Sequence, residues 1–508
     1  MQLPTRTAII IRITFDPLRP KMRVLILNPP AEHTISEYPD SGGESFIETE
    51  DFGYFPPLGA LYVLSYLEKN SAGHDLFFKD CVAENISQAD LPQVIAAIQP
   101  DVVGITSFTI SLIDVCQAAR TVRVAAPRAH LCLGGHHPIA FPFEAASLPE
   151  FDSIVVGEGE RAFTDLVSTL AQGEDITRIP GVYTAASIQA WKHRVHKDNR
   201  FLGNLPVPAA YIEEVDSLPP PNRAYIRHIS YRSVVGVSGD LATIISSRGC
   251  PYKCTFCDVP YKKYRHRSAA QVVTEVEACL DMGYREIHFY DDLFNITARR
   301  VNDFCREVDH RGLRFPWSFR GRVNAVTEQS LRLLKQAGCR LISFGVETGT
   351  DRGLRLLKKN TTVAQVQKVF RWCRRFGIKT LADYMIGLPF EKTAVDIQRN
   401  IDFLVALDPD YAQVSILSLY PNTALFQEAV DRGLVAEGKW EAFARDPQPG
   451  FAVDHWEEFF TAGQLAEFQK KAYRQYYLRP AYVFRSVLNT RSLYEFKTKA
   501  AGLRKLLF

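Results

Sequence analysis

Two successive runs of alternating strands and helices account for most of the sequence, one on each side of residues 186–240. In the first run, short apolar segments such as 101–106 have the pattern of buried strands, and segments such as 113–126 lie between them as helices. Strands that alternate with helices form a parallel sheet with helices on both faces. The sequence therefore predicts an α/β protein that begins with a Rossmann-like, doubly wound parallel sheet.

The second run contains six predicted strands in repeats of about 30 residues, with helices between them. The strands are 242–246, 286–290, 315–320, 341–345, 380–386 and 411–417. Such a repeat predicts a parallel TIM-type barrel, and six strands instead of eight predict a partial one. In barrels of this kind the active site lies at the carboxyl ends of the strands.

These patterns divide the chain into five predicted parts, which are an N-terminal extension (1–21), the first sheet (22–185), a linker (186–240) with a short hairpin near 181–194, the barrel (241–435) and a helical C-terminal region (436–508). An aromatic segment near 440–460 is open to two interpretations, a cap over the barrel or ordinary packing. From Thr461 onward ten Lys or Arg residues oppose two Glu residues. That balance predicts a solvated basic face or, less favoured, contact with an anionic membrane surface.

The first barrel strand runs into a loop that contains Cys250, Cys254 and Cys257. Cysteine thiolates are the usual ligands of iron–sulfur clusters. Three ligands on a four-iron cluster leave one iron open to bind another molecule. A structural zinc site is the alternative, but it needs four ligands, usually in two pairs, and the remaining cysteines of the sequence are scattered singly.

Charged residues follow the next barrel strands at the same predicted rim. Asp291 and Asp292 follow the second strand, Arg322 follows the third and Glu347 the fourth, while the fifth ends in a turn at 383–389. Carboxylates suit an ammonium group and a ribose, and an arginine suits a carboxylate. Together they predict a site for an amino-acid nucleoside. Taken singly, each carboxylate fits an ion-paired structural role equally well.

Small and hydroxyl-bearing residues mark the predicted carboxyl ends of the first sheet, where ligands of such sheets bind. They are Thr106, Ser107, Gly134, Gly135, His136, Gly157, Glu158 and Gly159. Their clustering predicts a cofactor pocket. The alternative is that the glycines only end their strands tightly.

The loop Cys250-x-x-x-Cys254-x-Phe256-Cys257 resembles the signature of the radical S-adenosylmethionine (SAM) enzymes. In that family three cysteines hold a 4Fe-4S cluster, and the methionine part of SAM chelates the fourth iron. The pair Asp291-Asp292 resembles the family's amino-group contact, usually Gly-Gly-Glu. Glu347 and the turn that includes Tyr384 and Gly387 resemble its ribose- and adenine-side motifs.

The upstream sheet resembles a cobalamin-binding domain. The whole resembles the cobalamin-dependent radical enzymes that include the anaerobic magnesium-protoporphyrin ester cyclase and the hopanoid and phosphonate methylases. The resemblance implies a 4Fe-4S cluster, SAM and cobalamin as cofactors. It also implies a 5′-deoxyadenosyl radical that attacks an unactivated carbon, with methyl transfer as the first expectation and oxidative cyclisation or hydroxylation as the alternative.

One departure from the family concerns the cobalt ligand. Many cobalamin domains carry Asp-x-His-x-x-Gly, whose histidine binds cobalt from below, but here the strand end reads Asp80-Cys81-Val82. The resemblance then implies cobalamin bound without a histidine ligand. Cys81 is open as a ligand, but packing is the favoured interpretation.

The expected partners are a small-molecule substrate, such as a lipid, a tetrapyrrole or a phosphonate, and an electron donor of the flavodoxin or ferredoxin type. A net charge of +3 over 508 residues gives no nucleic-acid signature. Scattered single cysteines indicate a reducing cytoplasm. Two other classes stay open, a methylthiotransferase, which needs a second cluster in the upstream domain, and a non-enzymatic corrinoid-binding regulator.

Overall fold

The computed structural model describes residues 21–35, 53–192 and 205–488, together with 490, 496, 497 and 499. Two six-stranded sheets dominate the described part of the chain. The predicted extension 1–21 lies outside the described residues except for Lys21. No helix in the described ranges is long and apolar enough to cross a membrane.

The first sheet and its helices are built from the N-terminal elements. They are β1 (Arg23–Asn28), β2 (Gly53–Tyr54), α1 (Leu58–Asn70), β3 (Asp75–Asp80), α2 (Leu91–Ile98), β4 (Val102–Ser107), α3 (Leu112–Ala125), β5 (His130–Gly135), α4 (His136–Ala140), α5 (Pro142–Ser147), β6 (Ser153–Val155), α6 (Gly159–Gln172), β7 (Val182–Tyr183) and α7 (Gln189–Lys192). The strand order is β3-β1-β4-β5-β6-β7.

Five strands of this sheet are parallel, as predicted, and β7 is antiparallel to β6. A short antiparallel edge strand is common on otherwise parallel sheets. The hairpin predicted near 181–194 is wrong for its described part, because β7 pairs with β6 and the chain then forms α7.

The second sheet and the C-terminal helices follow. They are β8 (Arg232–Ser233), β9 (Leu241–Ile244), β10 (Ser247–Arg248), β11 (Arg265–His266), α8 (Ala269–Asp281), β12 (Glu286–Phe289), α9 (Ala298–His310), β13 (Trp317–Gly321), α10 (Glu328–Gln336), β14 (Cys339–Glu347), α11 (Asp351–Leu356), α12 (Val363–Phe376), β15 (Lys379–Ile386), α13 (Ala394–Leu407), β16 (Tyr411–Ile416), α14 (Ala424–Asp431), α15 (Lys439–Arg445), α16 (Ala462–Tyr477) and α17 (Pro480–Leu488).

All six strands of the second sheet are parallel and lie in sequential order, from β9 through β12, β13, β14 and β15 to β16. The prediction of a six-stranded partial barrel is confirmed. Within the described residues 205–240 of the predicted linker the chain packs on the first sheet, since β8 pairs with β2 and the Tyr231 hydroxyl donates to Asp80 at 2.8 Å.

Alternation along the barrel strands separates an apolar outer face from a polar inner one. On β13, the buried Trp317 and Phe319 pack outward against Phe289 and the helices. The intervening Ser318 and Arg320 therefore face the barrel interior. The inner face is thus available for polar ligands, while the outer face supplies the core.

Helix α16 covers the last barrel strand. The backbone N–H groups of Ala412 and Val414 on β16 donate to the hydroxyls of Tyr477 and Tyr473 at 2.9 and 3.0 Å. An edge strand with unpaired N–H groups invites pairing with other chains, so these tyrosines protect it. The aromatic segment packs between the two sheets, because Trp440 and Trp456 are buried in a core cluster that also contains residues of the first sheet.

We predict that Gly157→Ala destabilises the apoprotein far more than Gly173→Ala. Both glycines have positive φ, 105° and 67°, which costs an alanine about 1 kcal/mol. At Gly157 the added Cβ would also lie 2.3 Å from the Ala210 carbonyl oxygen, whereas nothing lies within 4 Å at Gly173. Urea denaturation should give a loss of roughly 3 kcal/mol in the free energy of unfolding for Gly157→Ala. Equal losses would contradict the packing described for this turn.

Candidate functional site

The cysteine loop is closed at its base by a two-stranded ribbon. Strands β10 and β11, on either side of the loop, pair antiparallel. Inside the ribbon, the Cys250 N–H donates to the Tyr261 carbonyl at 3.0 Å. Gly249 has φ of 79°, and a Cβ there would lie 2.5 Å from the Lys263 carbonyl oxygen. The backbone therefore holds the loop entrance in one conformation before any ligand binds.

The three thiols are half-buried and lie close enough to influence one another. Burial raises the pKa of Cys257 to about 11, and both Asp258 and the Cys254 thiol act in the same direction. Burial also raises the pKa of Cys250. Among the residues that the structure describes, no group of three His, Cys, Asp or Glu side chains is compact enough for a single metal ion. Three thiols on one loop match the ligand set of an iron–sulfur cluster that keeps one iron open.

Arg322 supplies unpaired donors beside these thiols. Its guanidinium lies over the Tyr252 ring at 3.8 Å, and Nη1 is 3.5 Å from the Cys254 sulfur. Its Nε and Nη2 atoms are buried and have no hydrogen-bond partner among the described residues. A buried guanidinium left without acceptors is costly, so this corner of the cavity fits an anionic group such as a carboxylate or the cluster itself.

The two neighbouring aspartates have different environments. The buried Asp291 carboxylate accepts hydrogen bonds from the N–H and hydroxyl groups of Ser246 and Ser247, at 2.5 to 3.2 Å. Asp292 accepts one hydrogen bond, from the Gly249 N–H at 3.2 Å, and remains accessible. Although the Asp292 side chain is open to a ligand, the protein that surrounds it removes solvent, and this desolvation and the Asp291 charge raise its pKa. Asp291 thus fixes the start of the cysteine loop, while Asp292 is left to meet a ligand.

Glu347 pairs with a lysine that the sequence analysis missed. The buried Lys359 ammonium donates to Glu347 Oε1 at 2.7 Å and lies 5.8 Å from the centre of the Phe256 ring. Glu347 has φ of 65°, which is uncommon for a residue other than glycine and asparagine and is typical of functional sites. Lys359 lies in a loop outside any strand–helix repeat, so no sequence signal singled it out.

Tyr384 and Gly387 contact protein on the side away from the interior. Tyr384 is fully buried, and its hydroxyl lies 2.9 Å from the Asn400 carbonyl on α13. Its neighbour Asp383 faces the interior and accepts a hydrogen bond from Ser343 at 2.7 Å. A Cβ at Gly387 would lie 3.1 Å from Leu465 of α16. Asp383 is the residue of this strand that the sequence analysis placed at the rim but left out of its site.

The carboxyl edge of the first sheet combines tight backbone packing with open space. The Ser107 hydroxyl donates to the Gly134 carbonyl at 2.7 Å, and a Cβ at Gly135 would lie 2.5 Å from the Ser107 nitrogen. At Gly134, by contrast, the nearest atom would be 4.0 Å away. The side chain of Thr106 is half-buried at the same edge. Gly135 is therefore required by its neighbouring strand, whereas the space beside Gly134 fits a ligand.

His136 connects this edge to the cysteine loop. Its ring stacks on Phe108 with centroids 6.0 Å apart, and its Nε2 is 3.6 Å from the carboxylate of Asp258, the residue after Cys257. The next residue, His137, is fully buried; its Nδ1 lies 3.0 Å from the Thr109 hydroxyl, and burial lowers its pKa to about 3. The exposed Phe108 was missed by the sequence analysis, although it directly follows the predicted Ser107.

Family models match both halves of the chain. Residues 48–167 match the B12 binding domain, and residues 244–423 match the radical SAM superfamily. An uncharacterized methyltransferase of Pyrococcus horikoshii is 29% identical over 92% of this chain and 95% of the relative. An anaerobic magnesium-protoporphyrin IX monomethyl ester cyclase of Rubrivivax gelatinosus is 26% identical over 91% of this chain and 78% of the relative.

A solved structure has the same fold. The radical SAM methyltransferase TsrM of Kitasatospora setae aligns with a TM-score of 0.67 and 20% identity, over 90% of this chain and 89% of that one. The chain carries the two domains of the cobalamin-binding radical SAM enzymes, a B12 binding domain followed by a radical SAM domain. The expectation of an enzyme that uses a 4Fe-4S cluster, SAM and cobalamin is confirmed.

In this radical SAM enzyme the strand end that often carries a cobalt-binding histidine is used for packing. Asp80 accepts hydrogen bonds from Asn28 Nδ2 at 2.7 Å and from Tyr231 at 2.8 Å. Cys81 is buried, and burial raises the pKa of its thiol to about 12. A protonated, buried thiol is a poor metal ligand, which favours the packing interpretation of Cys81.

Glu158, predicted as a cofactor contact, joins the two domains of the radical SAM enzyme instead. Its carboxylate accepts two hydrogen bonds from Arg265, at 2.8 and 2.9 Å, and lies 3.2 Å from Arg248. Glu160 also pairs with Arg248. We call Glu158, Glu160, Arg248 and Arg265 the interdomain ion cluster. Both arginines lie on the ribbon that closes the cysteine loop, and the sequence analysis missed them because their partners are about 100 residues away in the chain.

Glu158→Gln should lower the free energy of unfolding by about 3 kcal/mol near neutral pH, because it breaks a buried ion pair. Burial by itself would raise the pKa of Glu158, but Arg265 and Arg248 outweigh it and hold the pKa below the usual value. A carboxyl with a lowered folded-state pKa stabilises above its unfolded pKa, and this contribution is lost as pH falls. The difference between wild type and Glu158→Gln should therefore begin to shrink at about pH 5, just above the unfolded pKa, and should go on shrinking as the pH falls through the lower folded-state pKa.

Urea denaturation of the apoprotein at several pH values measures this difference. Glu174→Gln is the matched control, since Glu174 is exposed just beyond the same helix. Glu174→Gln should leave the free energy of unfolding unchanged at every pH. A constant difference for Glu158→Gln across the pH range would contradict the ion-pair assignment.

Proposed function

We propose that this radical SAM enzyme transfers a methyl group from SAM to an unactivated carbon of a small molecule, with cobalamin as the methyl carrier. One observation carries the proposal. The carboxyl edge of the first sheet lies against the cysteine loop, through His136 and Asp258 and through the interdomain ion cluster. A corrin at that edge would face the same cavity as a SAM molecule on the cluster, which is the arrangement that methyl transfer requires.

The roles that we assign to the cavity residues follow from their free bonding capacity. Cys250, Cys254 and Cys257 would hold the cluster, with Phe256 packed behind the loop. Arg322, with two unpartnered nitrogens, would bind the SAM carboxylate. Asp292 would accept a hydrogen bond from the ammonium group of SAM, because its carboxylate is accessible and already accepts only one hydrogen bond, from Gly249. Glu347 would accept from the ribose hydroxyls with the oxygen that Lys359 leaves free.

The bound cofactors supply electron transfer to the sulfonium, a carbon-centred radical and a methyl carrier. The chain positions them and excludes water from the interior. On the first sheet, Thr106, Gly134 and the Phe108–His136 stack would contact the corrin, because they are the accessible groups of that edge. Asp80 and Cys81 would leave the lower face of cobalt without a histidine ligand.

Oxidative cyclisation or hydroxylation is a second candidate reaction. The cyclase relative covers 91% of this chain, so its architecture is shared throughout. We place methyl transfer first because the Pyrococcus relative and TsrM are both named as methyltransferases. Each of these matches covers most of this chain and most of the matched protein.

A methylthiotransferase fits less well. It would need a cysteine-bound second cluster in the first domain, and Cys81, Cys116 and Cys132 are all buried in separate packing positions. A regulator that only binds a corrinoid would leave the cysteine loop and the unpartnered nitrogens of Arg322 without a role.

The proposal extends to partners, boundaries and location. The substrate would be a small molecule such as a lipid, a tetrapyrrole or a phosphonate, and a flavodoxin or ferredoxin would reduce the cluster. We retain the predicted domain boundaries at 22, 186, 241 and 436. We also retain the cytoplasm as the location, since all ten cysteines are free. For the basic tail a solvated face remains favoured over membrane contact, because Arg479 and Arg485 are both paired with Asp408.

Cys254→Ala should abolish SAM cleavage. Anaerobically reconstituted wild type with dithionite should release 5′-deoxyadenosine, which chromatography measures. The control is Cys305→Ala, since Cys305 lies in the barrel core away from the loop, and it should keep this activity. Unchanged cleavage in Cys254→Ala would contradict the cluster assignment.

The reaction type is tested with methyl-labelled SAM and mass spectrometry of cell extracts incubated with the enzyme. A substrate that gains one labelled methyl group supports methyl transfer. A substrate that gains oxygen or loses hydrogens without label would support the oxidative alternative.

A further inference from the structure

Arg320 is a cation inside the barrel for which the roles above give no function. It lies on β13 between the outward-facing Phe319 and Gly321, and its register partner on the neighbouring strand is Ser343. Its guanidinium lies 5.2 Å from the centre of the Tyr290 ring, which is itself 40% exposed. Arg320 is accessible although it points into the barrel. The interior is therefore open at this point rather than filled by side chains.

The Arg320 guanidinium has no hydrogen bond or ion pair with any residue in 21–35, 53–192 or 205–488. Nearby, Asp383 accepts a hydrogen bond from Ser343 at 2.7 Å; it makes no direct ion pair with Arg320, although its charge helps to raise the pKa of Arg320. His288 is neutral, because burial lowers its pKa to about 3, and its Nδ1 lies 2.8 Å from the Ser318 hydroxyl. Among the residues that the structure describes, the five N–H donors of Arg320 consequently have no protein acceptor.

The position of Arg320 relative to Arg322 sets the scale of what fits. Two residues along a strand correspond to about 7 Å, and both side chains point to the same side of the sheet. Arg322 lies beside Cys254 at the mouth of the barrel, so Arg320 lies deeper. A molecule anchored at Arg320 would present a carbon several ångströms away to the SAM site above it.

We propose that Arg320 binds a carboxylate of the substrate, so that this enzyme acts on a small carboxylic acid held with its anionic end inside the barrel. The inference rests on the proposed function, since it names the substrate class of the same site. The planar guanidinium matches a carboxylate with two parallel hydrogen bonds. Tyr290 covers one face of the guanidinium, which leaves its edge free for such a pair.

A carboxylate is favoured over a phosphate or phosphonate because of Asp383. A dianion beside Arg320 would add two negative charges next to the Asp383 carboxylate, whereas a carboxylate adds only one and meets less repulsion from Asp383. Asp383 is then placed to accept a hydrogen bond from an amine or hydroxyl on the same substrate. A pure hydrocarbon substrate would leave Arg320 desolvated without compensation.

Saturation-transfer difference NMR on the reconstituted, full-length enzyme tests the anchor without any turnover. The probes are benzoate, its neutral analogue benzamide and phenylphosphonate. Wild type should bind benzoate more tightly than both others. Arg320→Gln should weaken benzoate binding by about tenfold or more, because a charge-assisted pair is lost. Arg320→Lys, which keeps the charge but not the planar fork, should give an intermediate loss.

Arg314→Gln is the matched control, since Arg314 precedes the same strand but is 59% exposed and paired with Asp309. It should bind benzoate like wild type. Thermal unfolding and iron content of each variant show whether it is folded and loaded. Equal binding of benzoate and benzamide to wild type, or unchanged benzoate binding in folded Arg320→Gln, would overturn the proposal. Tighter binding of phenylphosphonate than of benzoate would overturn the carboxylate assignment and favour a substrate with a phosphoryl group. Failure of SAM cleavage is a separate result that concerns the proposed function alone.

Discussion

The structure depends on the ion cluster that joins its two sheets. Glu158 and Glu160 at the edge of the first sheet bind Arg248 and Arg265 on the ribbon that closes the cysteine loop. All four side chains are largely buried, so removing one partner would leave an unpaired charge in the protein interior. Because the ion cluster ties the edge of the first sheet to the cysteine loop, the relative position of these two edges is fixed by packing, and cofactors bound at them would be held at a fixed distance.

The second constraint is that the barrel strands have an apolar outer face, which packs against the helices, and a polar inner face. The outer side chains of the strands form one apolar core with the helices, while the inner ones include Arg320, Ser343 and Asp383. Most polar side chains at the rim have a partner in the protein. In the described part of the chain, those with spare capacity include Arg322 and Asp292 near the cysteine loop, one oxygen of Glu347, and Arg320 deeper inside. These groups are arranged from the cysteine loop into the barrel interior. They are therefore the candidate contacts for ligands that bind there.

The sequence was sufficient for the architecture, because strand–helix alternation and the cysteine spacing are local patterns. All six barrel strands and the cysteine loop were predicted in place. It was not sufficient to tell which carboxylates are free. Asp291 and Asp292 are adjacent in sequence, yet only the structure shows that serine hydroxyls and N–H groups occupy the first. Glu158 was assigned to the cofactor because it follows a predicted strand end, while its partner Arg265 lies about 100 residues away in the chain. Long-range pairing, which carries no local signal, decided each of these roles.

The central claim is that cobalamin and the iron–sulfur cluster face one cavity, and electron paramagnetic resonance tests it most directly. In protein loaded with Co(II) cobalamin and a reduced cluster, the two unpaired spins should interact, with broadened lines and faster relaxation than in samples that hold one cofactor. Dipolar coupling falls with the cube of distance, so the effect requires proximity. A spectrum equal to the sum of the two single-cofactor spectra would contradict the account.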